Sequence, residues 1–505
     1  MTQGGGGSEV ASRSTPIPSR LLAGLAIGLL LLVGASAPNA ALPDLSPSGW
    51  APGQWLPLTL GPAAVTGTLW TAYLVGGLAV LLGVRSRAPA LASWRLPGVV
   101  GALALLTAPF GSADHVNYLA YGRILVLGGN PWTDSPIDFA GGLDPVTSRV
   151  EEPWTTEPSV YGPFGTALQG LASWVGGDNL RQGVWVWQGL VVLAWLAVRW
   201  LLRAALGPVA HSRVDVLWTL NPLVLGVGVL GGHIDVIATA LAVAAVWAAT
   251  RRAGWRAWVL AGAFVGLAGS TKFTYAVVGL GLAAAAAGTA GTRSRRWLAL
   301  AGGFLAVVAP LHLWAGGHVY DQLLRSRAAV SLATPWRPLL EWGREQIGNG
   351  AVRALISVGA ALLAVLLAWC FLRLTRPIID SPDGTGVAAS GLRYTGCLAA
   401  AYALAAPYAL PWYDLLAWAA LPAMAASVLD VILLARLTVI SLAYVPGRVL
   451  GMTAGVEELT LGVRRGLGPV VALVLWGVSV GFAVRRGSAP RTGPRRQGSG
   501  PPPTR

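Results

Sequence analysis

Asp114, His233 and Lys272 are the side chains of this sequence whose type and setting most invite a chemical role. Asp114 stands in "SADHVNYLAYGRILVL", followed by Tyr118 and Tyr121, with Arg123 two residues later. Asp114 and Tyr118 are four apart, so a helix sets them on one face. A carboxylate fixed beside a cavity can act as a general base; the plainer role for Asp114 is to cap the helix that follows it. Lys272, in "GSTKFTYAVVG", is the single lysine among 36 Lys and Arg. An ammonium at a helix start, beside free backbone N–H groups, is a receptor for a phosphate. The alternative is a lysine that snorkels to the membrane surface. Because arginine serves for the other membrane-flanking cations, the exception favours a specific role.

His233 and Asp235 fall in "GGHID", a glycine break between two apolar runs. They suit a substrate contact at a helix start, or a cap in which Asp235 favours the helix dipole. One His and one Asp are too few for a zinc centre. Trp412 and Tyr413, in "PWYD", fit either an interfacial aromatic belt or a face that stacks on a sugar ring. Asp134, Asp138, Asp144, Glu151, Glu152 and Glu157 read mainly as a solvated acidic loop. The sequence has no Gly-rich phosphate loop, no dinucleotide fingerprint and no defensible Ser-His-Asp spacing. A donor substrate would therefore be delivered by the membrane.

The elements that must position these residues are membrane helices. Of 505 residues, 54% are hydrophobic and only 11% charged, against roughly 25% charged in soluble domains. Apolar runs of about 17–25 residues recur, the length that crosses a bilayer as helix. The candidate spans are 20–37, 63–84, 96–111, 184–204, 214–230, 234–250, 256–270, 273–289, 297–315, 351–372, 392–410, 412–428, 430–446 and 468–484. They make an all-α integral membrane domain over 20–484, with a polar leader 1–19 and a basic tail 485–505, both expected to be disordered. The net charge of +15 gathers as arginines in short segments between spans. It reads as topology and lipid attraction, with no nucleic-acid partner. Placing those arginines in the cytoplasm puts both termini inside. The loops 112–158 and 316–350, "GGHID", "STK" and "PWYD" then lie outside. Residues 160–177 fit this alternation only as an amphipathic or re-entrant helix within an outer loop running to 183. Arg325, Arg327 and Arg337 fall outside as well, against the usual bias, where they can pair with the acidic loop or bind phosphate. Cys370 and Cys397 lie in or beside apolar runs and suggest no disulfide.

The Asp-x-x-x-Tyr-x-x-x-Gly order at 114–122 joins "GGNPW" at 128–132, "YGP" at 161–163, "NPL" at 221–223, "GGHID", "TKFTY" at 271–275 and "PWY" at 411–413. In this order the motifs resemble the actinobacterial polyprenol-phosphate-mannose-dependent alpha-1,6-mannosyltransferases, of the GT-C class of membrane glycosyltransferases. The resemblance covers about 300 residues. It implies a multi-helix bundle with a large first outer loop carrying juxtamembrane helices. It also implies inverting transfer of mannose from a polyprenyl phosphate to a glycan or glycolipid acceptor. By it, Asp114 matches the loop carboxylate that activates the acceptor hydroxyl. Lys272, Arg325 and Arg327 would hold the donor phosphate. Tyr118, Tyr121, Arg123, Asn130, Tyr161, His233, Asp235, Trp412 and Tyr413 would line the substrates. No cofactor is implied, and a phosphate leaving group needs no metal. The chain departs from the family where "HID" stands for "HND" and in the acidity of 112–158. Two other readings remain open: transfer of another sugar such as arabinose, and a transporter or flippase of a lipid-linked sugar. The second should show inverted repeats and helices broken at mid-membrane; no internal repeat is visible, and the polar residues gather on one side.

Overall fold

The computed structural model describes residues 17–45, 47–52, 54–86, 88–251, 254–287, 292–326, 329–378, 386–448 and 451–488. The expected leader up to residue 16, and the expected tail from residue 489, lie outside the described residues. Among the described residues the secondary structure is helical, with isolated bridges and no strand. Among the described residues seven helical segments are long and apolar enough to cross a membrane: Pro18–Ala35, Pro62–Arg85, Leu180–Leu206, Ile234–Arg251, Arg293–Ala315, Asn349–Leu374 and Ala454–Arg486. The remaining spans expected from sequence are helices that are shorter or less apolar, or segments that are interrupted.

Nine helices frame the polar residues: α1 (Ile17–Ala35), α2 (Pro62–Arg85), α3 (Arg95–Leu105), α4 (Asp114–Val126), α5 (Pro163–Gly176), α6 (Leu180–Leu206), α7 (Ile234–Arg251), α8 (Trp255–Thr271) and α9 (Arg293–Ala315). α7 is central, with 72% of its apolar window buried, while α9 is peripheral at 22% and exposes Leu298, Leu305 and Leu313. α5 has 14 residues, so it rises about 21 Å, short of the ~30 Å of hydrocarbon a crossing helix must span. It packs on α4, α6 and α8. Two of these approaches require glycine. A Cβ on Gly122 would sit 2.2 Å from the Gln169 carbonyl oxygen, and one on Gly162 would sit 2.4 Å from that of Ser270.

The expected spans 214–230 and 412–428 are not continuous helices. In the first, Pro222 cannot donate to the helix ladder. Asn221 instead accepts from the N–H groups of Leu223 and Val224, between π-helical turns at Asp215–Thr219 and Leu225–Val229. In the second, 3-10 turns at Pro411–Asp414 and Leu421–Ala423 flank a short helix, Leu415–Ala420. Both segments are almost wholly buried in protein, the setting in which irregular backbone is tolerated at membrane depth.

Hydrogen bonds sort the chain into two ends. At one end, Phe110 N donates to Leu230 O (3.0 Å) and Gly162 N to Thr271 O (3.2 Å). At the other, Leu91 N donates to Asp215 Oδ2 (2.8 Å), Arg213 to Leu421 O (3.2 Å) and Ile378 N to Ala423 O (2.8 Å). Asp114, His233, Lys272 and Trp412 therefore collect at the first end.

Candidate active site

Asp114 is the first residue of α4. Its backbone N–H donates to Ser112 Oγ (3.2 Å). The carboxyl turns toward the "GGHID" break, where Asp114 Oδ2 lies 3.5 Å from His233 Nδ1. Tyr118, one turn along α4, brings its hydroxyl 3.4 Å from the same nitrogen, and Ser112 Oγ lies 3.3 Å from His233 Nε2. His233 is buried and stacks on Trp412, with ring centroids 3.6 Å apart and planes 17° apart. Trp187 Nε1 donates to Gly232 O (2.7 Å) and holds the break in place.

A second layer adjoins the first. Lys272 follows the last residue of α8 with an extended backbone, φ −149°, before the 3-10 turn Phe273–Ala276. Its ammonium donates to both carboxylate oxygens of Asp235, at 2.7 and 2.9 Å, and lies 4.1 Å from the centre of the Tyr413 ring. Tyr275 donates to Asp235 Oδ1 at 3.0 Å. Asp235 thus spends its carboxylate on an ion pair within the first turn of α7. Tyr161 closes one side, edge-on to Tyr118 at 5.1 Å.

The electrostatics separate these groups. Burial pushes the Asp114 carboxyl up to about 7; Lys272 and the Tyr118 hydroxyl oppose the rise and Asp235 adds to it. Near neutral pH such a group exchanges a proton readily. Burial, reinforced by Lys272 and His115, holds the His233 imidazole well below its ordinary value, so it is neutral. The side chain of Asp114 keeps 17% exposure and that of Lys272 also 17%, while Asp235 keeps 1%. Asp114 is thus the more exposed of the two carboxylates of the site.

Other residues singled out in the sequence do not join the cluster. Tyr121 donates to the Glu157 carbonyl (2.9 Å) and its ring lies 6.3 Å from that of Tyr161. Arg123 binds Asp144 (2.9 Å) and Asp178, pinning α4 to the acidic loop. Asn130 shapes a turn, its side chain accepting from Trp132 N (3.0 Å). Arg325 is exposed on a short helix, Asp321–Ser326, and Arg327 lies outside the described residues. Arg337 pairs with Glu341 at 2.7 Å. The acidic loop is less solvated than its composition implies. Asp144 is buried on Arg123, and Glu151 accepts from Arg448 at 3.1 Å. Ser112 and Tyr275 were not singled out from sequence. Tyr275 had a signal, three residues after Lys272 in "TKFTY"; Ser112 had none.

A family model described as "Alpha-(1->6)-mannopyranosyltransferase, N-terminal domain" matches residues 21–289, a stretch holding Asp114, Tyr118, Tyr161, His233, Asp235 and Lys272. A probable alpha-(1->6)-mannopyranosyltransferase of Mycolicibacterium smegmatis is 26% identical over 362 residues, covering 63% of this chain and 62% of that relative. Alpha-(1->6)-mannopyranosyltransferase A of Mycobacterium tuberculosis is 30% identical over 150 residues, 28% of this chain and 27% of the relative. The chain thus aligns with less than two thirds of the length of either relative. No solved structure matches it.

Proposed function

We propose, from the premise that this chain belongs to the alpha-(1->6)-mannopyranosyltransferase family, that it moves mannose from a polyprenyl phosphate to a glycan or glycolipid acceptor. Transfer takes place on the outer face of a bacterial plasma membrane, with both termini in the cytoplasm. The observation that carries the reading is Asp114: a partly exposed carboxyl poised near neutrality, 3.5 Å from a neutral imidazole and within the field of Lys272. The arginine-rich junctions support the orientation, since they fall at the end opposite to Asp114.

The chemistry follows from these residues. Asp114 takes the proton of the acceptor hydroxyl, and the freed oxygen attacks the anomeric carbon. The bond from that carbon to the phosphate oxygen breaks, and the phosphate leaves with the electron pair. A single displacement inverts the anomeric centre. Negative charge grows on the leaving phosphate, so preorganised cations favour the transition state. Lys272 supplies such a cation, steadied by Asp235. Tyr161 and Tyr413, both partly exposed, supply aromatic surface for a sugar ring, and the buried Trp412 packs behind them on His233.

The test is transfer of radiolabelled mannose from polyprenyl-phosphate mannose to membrane acceptors, comparing wild type with Asp114→Asn at equal expression. Transfer by wild type and its loss in the variant supports class, donor and base together. Equal transfer by both removes Asp114 from the chemistry. Transfer by neither overturns the donor sugar or the acceptor.

A further inference from the structure

We propose that Arg464 binds the phosphate of the lipid-linked donor. The inference rests on the mannosyl-transfer reading for the donor's identity but on separate residues for the site. It starts from a shortage: the ammonium of Lys272 is shared with both oxygens of Asp235, so a leaving phosphate calls for a second cation beside it, one with no carboxylate partner. Arg123, Arg199, Arg213, Arg436 and Arg448 are each paired with an Asp or Glu. Arg464 is half-buried, yet among the described residues it has no carboxylate partner. Its guanidinium donates to the carbonyls of Ala443 and Tyr444, which orient it without neutralising it, and lies 4.4 Å from the centre of the Tyr444 ring. A planar, weakly hydrated fork fixed in this way matches phosphate oxygens.

Its position joins it to the site. Tyr444 donates to the Ala409 carbonyl at 3.0 Å and is bonded to Ser331, whose own N–H donates to Pro407 O at 2.9 Å. Together they clamp the strand of chain that carries Tyr408. The Tyr408 ring lies 6.3 Å from Tyr413, which in turn faces Lys272. Tyr408 is within electrostatic reach of both Arg464 and Asp114. Arg464 also sits in a π-helical turn, Val463–Leu467, inside the long apolar segment Ala454–Arg486. Such turns mark functional places in helices more often than chance. The segment ends in Arg485 and Arg486, so Arg464 belongs to the opposite end, where a cation runs against the usual charge bias.

The experiment measures binding of farnesyl phosphate, farnesol and inorganic phosphate to the detergent-solubilised full chain, for wild type, Arg464→Gln, Arg464→Lys and the exposed neighbour Arg465→Gln. Loss of one charge-assisted contact predicts about a ten- to hundredfold weaker farnesyl phosphate binding in Arg464→Gln. Arg464→Lys should fall between, and Arg465→Gln and farnesol binding should be unchanged. Competition by inorganic phosphate that disappears in Arg464→Gln supports an oxyanion site that reads the phosphate itself. Farnesyl phosphate binding that survives in a folded Arg464→Gln overturns the proposal. So does an equal loss of farnesol binding, which would make Arg464 a shaper of the lipid groove. Should Arg464→Gln unfold, wild-type affinity in a folded Arg464→Tyr, which keeps a plane but no charge, overturns it equally. Because binding is read without turnover, a wild type that transfers no mannose leaves this result intact and removes only the mannosyl-transfer reading.

Discussion

Asp114 and Asp215 occupy opposite ends of the bundle, and their environments differ in one respect that decides their roles. Asp215 is saturated: it accepts from Arg199 Nε at 3.1 Å, Arg203 Nη1 at 2.9 Å, Leu91 N at 2.8 Å and Thr219 Oγ1 at 3.3 Å. The Arg199 guanidinium is further held over the Trp94 ring at 4.3 Å. That knot ties α6 to the chain before α3 and to the broken segment after α6. Among the described residues Asp114 has no charged partner within ion-pair distance, only the neutral His233 at 3.5 Å, and its carboxyl is pushed up to about 7. A saturated buried carboxylate stabilises structure and does no chemistry. An undersaturated one with a path to solvent is available to exchange a proton.

Asp114→Asn should cut mannosyl transfer by about 10²–10⁴-fold, the usual worth of a general base, with an unchanged unfolding midpoint in detergent. A lowered midpoint would make Asp114 structural, like Asp215. Asp215→Ala should do the reverse. Leaving Arg199 and Arg203 without their acid costs about 3–5 kcal/mol of stability, read by thermal unfolding, while turnover per folded molecule is retained.

Lys272→Ala should lose both stability and donor affinity, because it strands Asp235 as well as removing a cation. Adding Asp235→Asn should restore the unfolding midpoint but not the donor KM. Restoration of both would reduce the pair to a structural link.

The pH dependence sharpens the same contrast. The base must be ionised, so the log of kcat/KM for the acceptor should fall with a slope of one as pH drops below about 7. The residual activity of Asp114→Asn should lack that limb. The smallest effect belongs to Tyr121→Phe, which removes one hydrogen bond to the Glu157 carbonyl and should cost about 1 kcal/mol of stability with little change in turnover.

How far the sequence could be read follows from what each feature depends on. Helices α1, α2, α6 and α7 were visible because a long apolar run of helical composition leaves few alternatives in lipid. The segments 214–230 and 412–428 have the same hydropathy, but Asn221–Pro222 and Pro422 interrupt them. Hydropathy counts greasy side chains and does not register missing backbone donors. In the site, Asp114 and Tyr118 were readable as one helical face, and "GGHID" as a break. The bidentate Lys272–Asp235 pair was not, because either residue alone reads as a cap or a snorkelling cation. Trp412 reads in sequence as a membrane belt or a sugar platform, and the structure buries it against His233.

A helical membrane protein, the polar residues that stand apart from its lipid-facing pattern and its family are all legible in the amino-acid order alone. These are properties of local composition and motif order. Which charges meet depends instead on how the helices pack. The approach of α5 to α4 and α8 through Gly122 and Gly162, and the turn of the chain at Gly232, φ +66°, bring distant segments within hydrogen-bond reach. Whether a carboxylate is saturated or left open is therefore a property of packing and not of the residue.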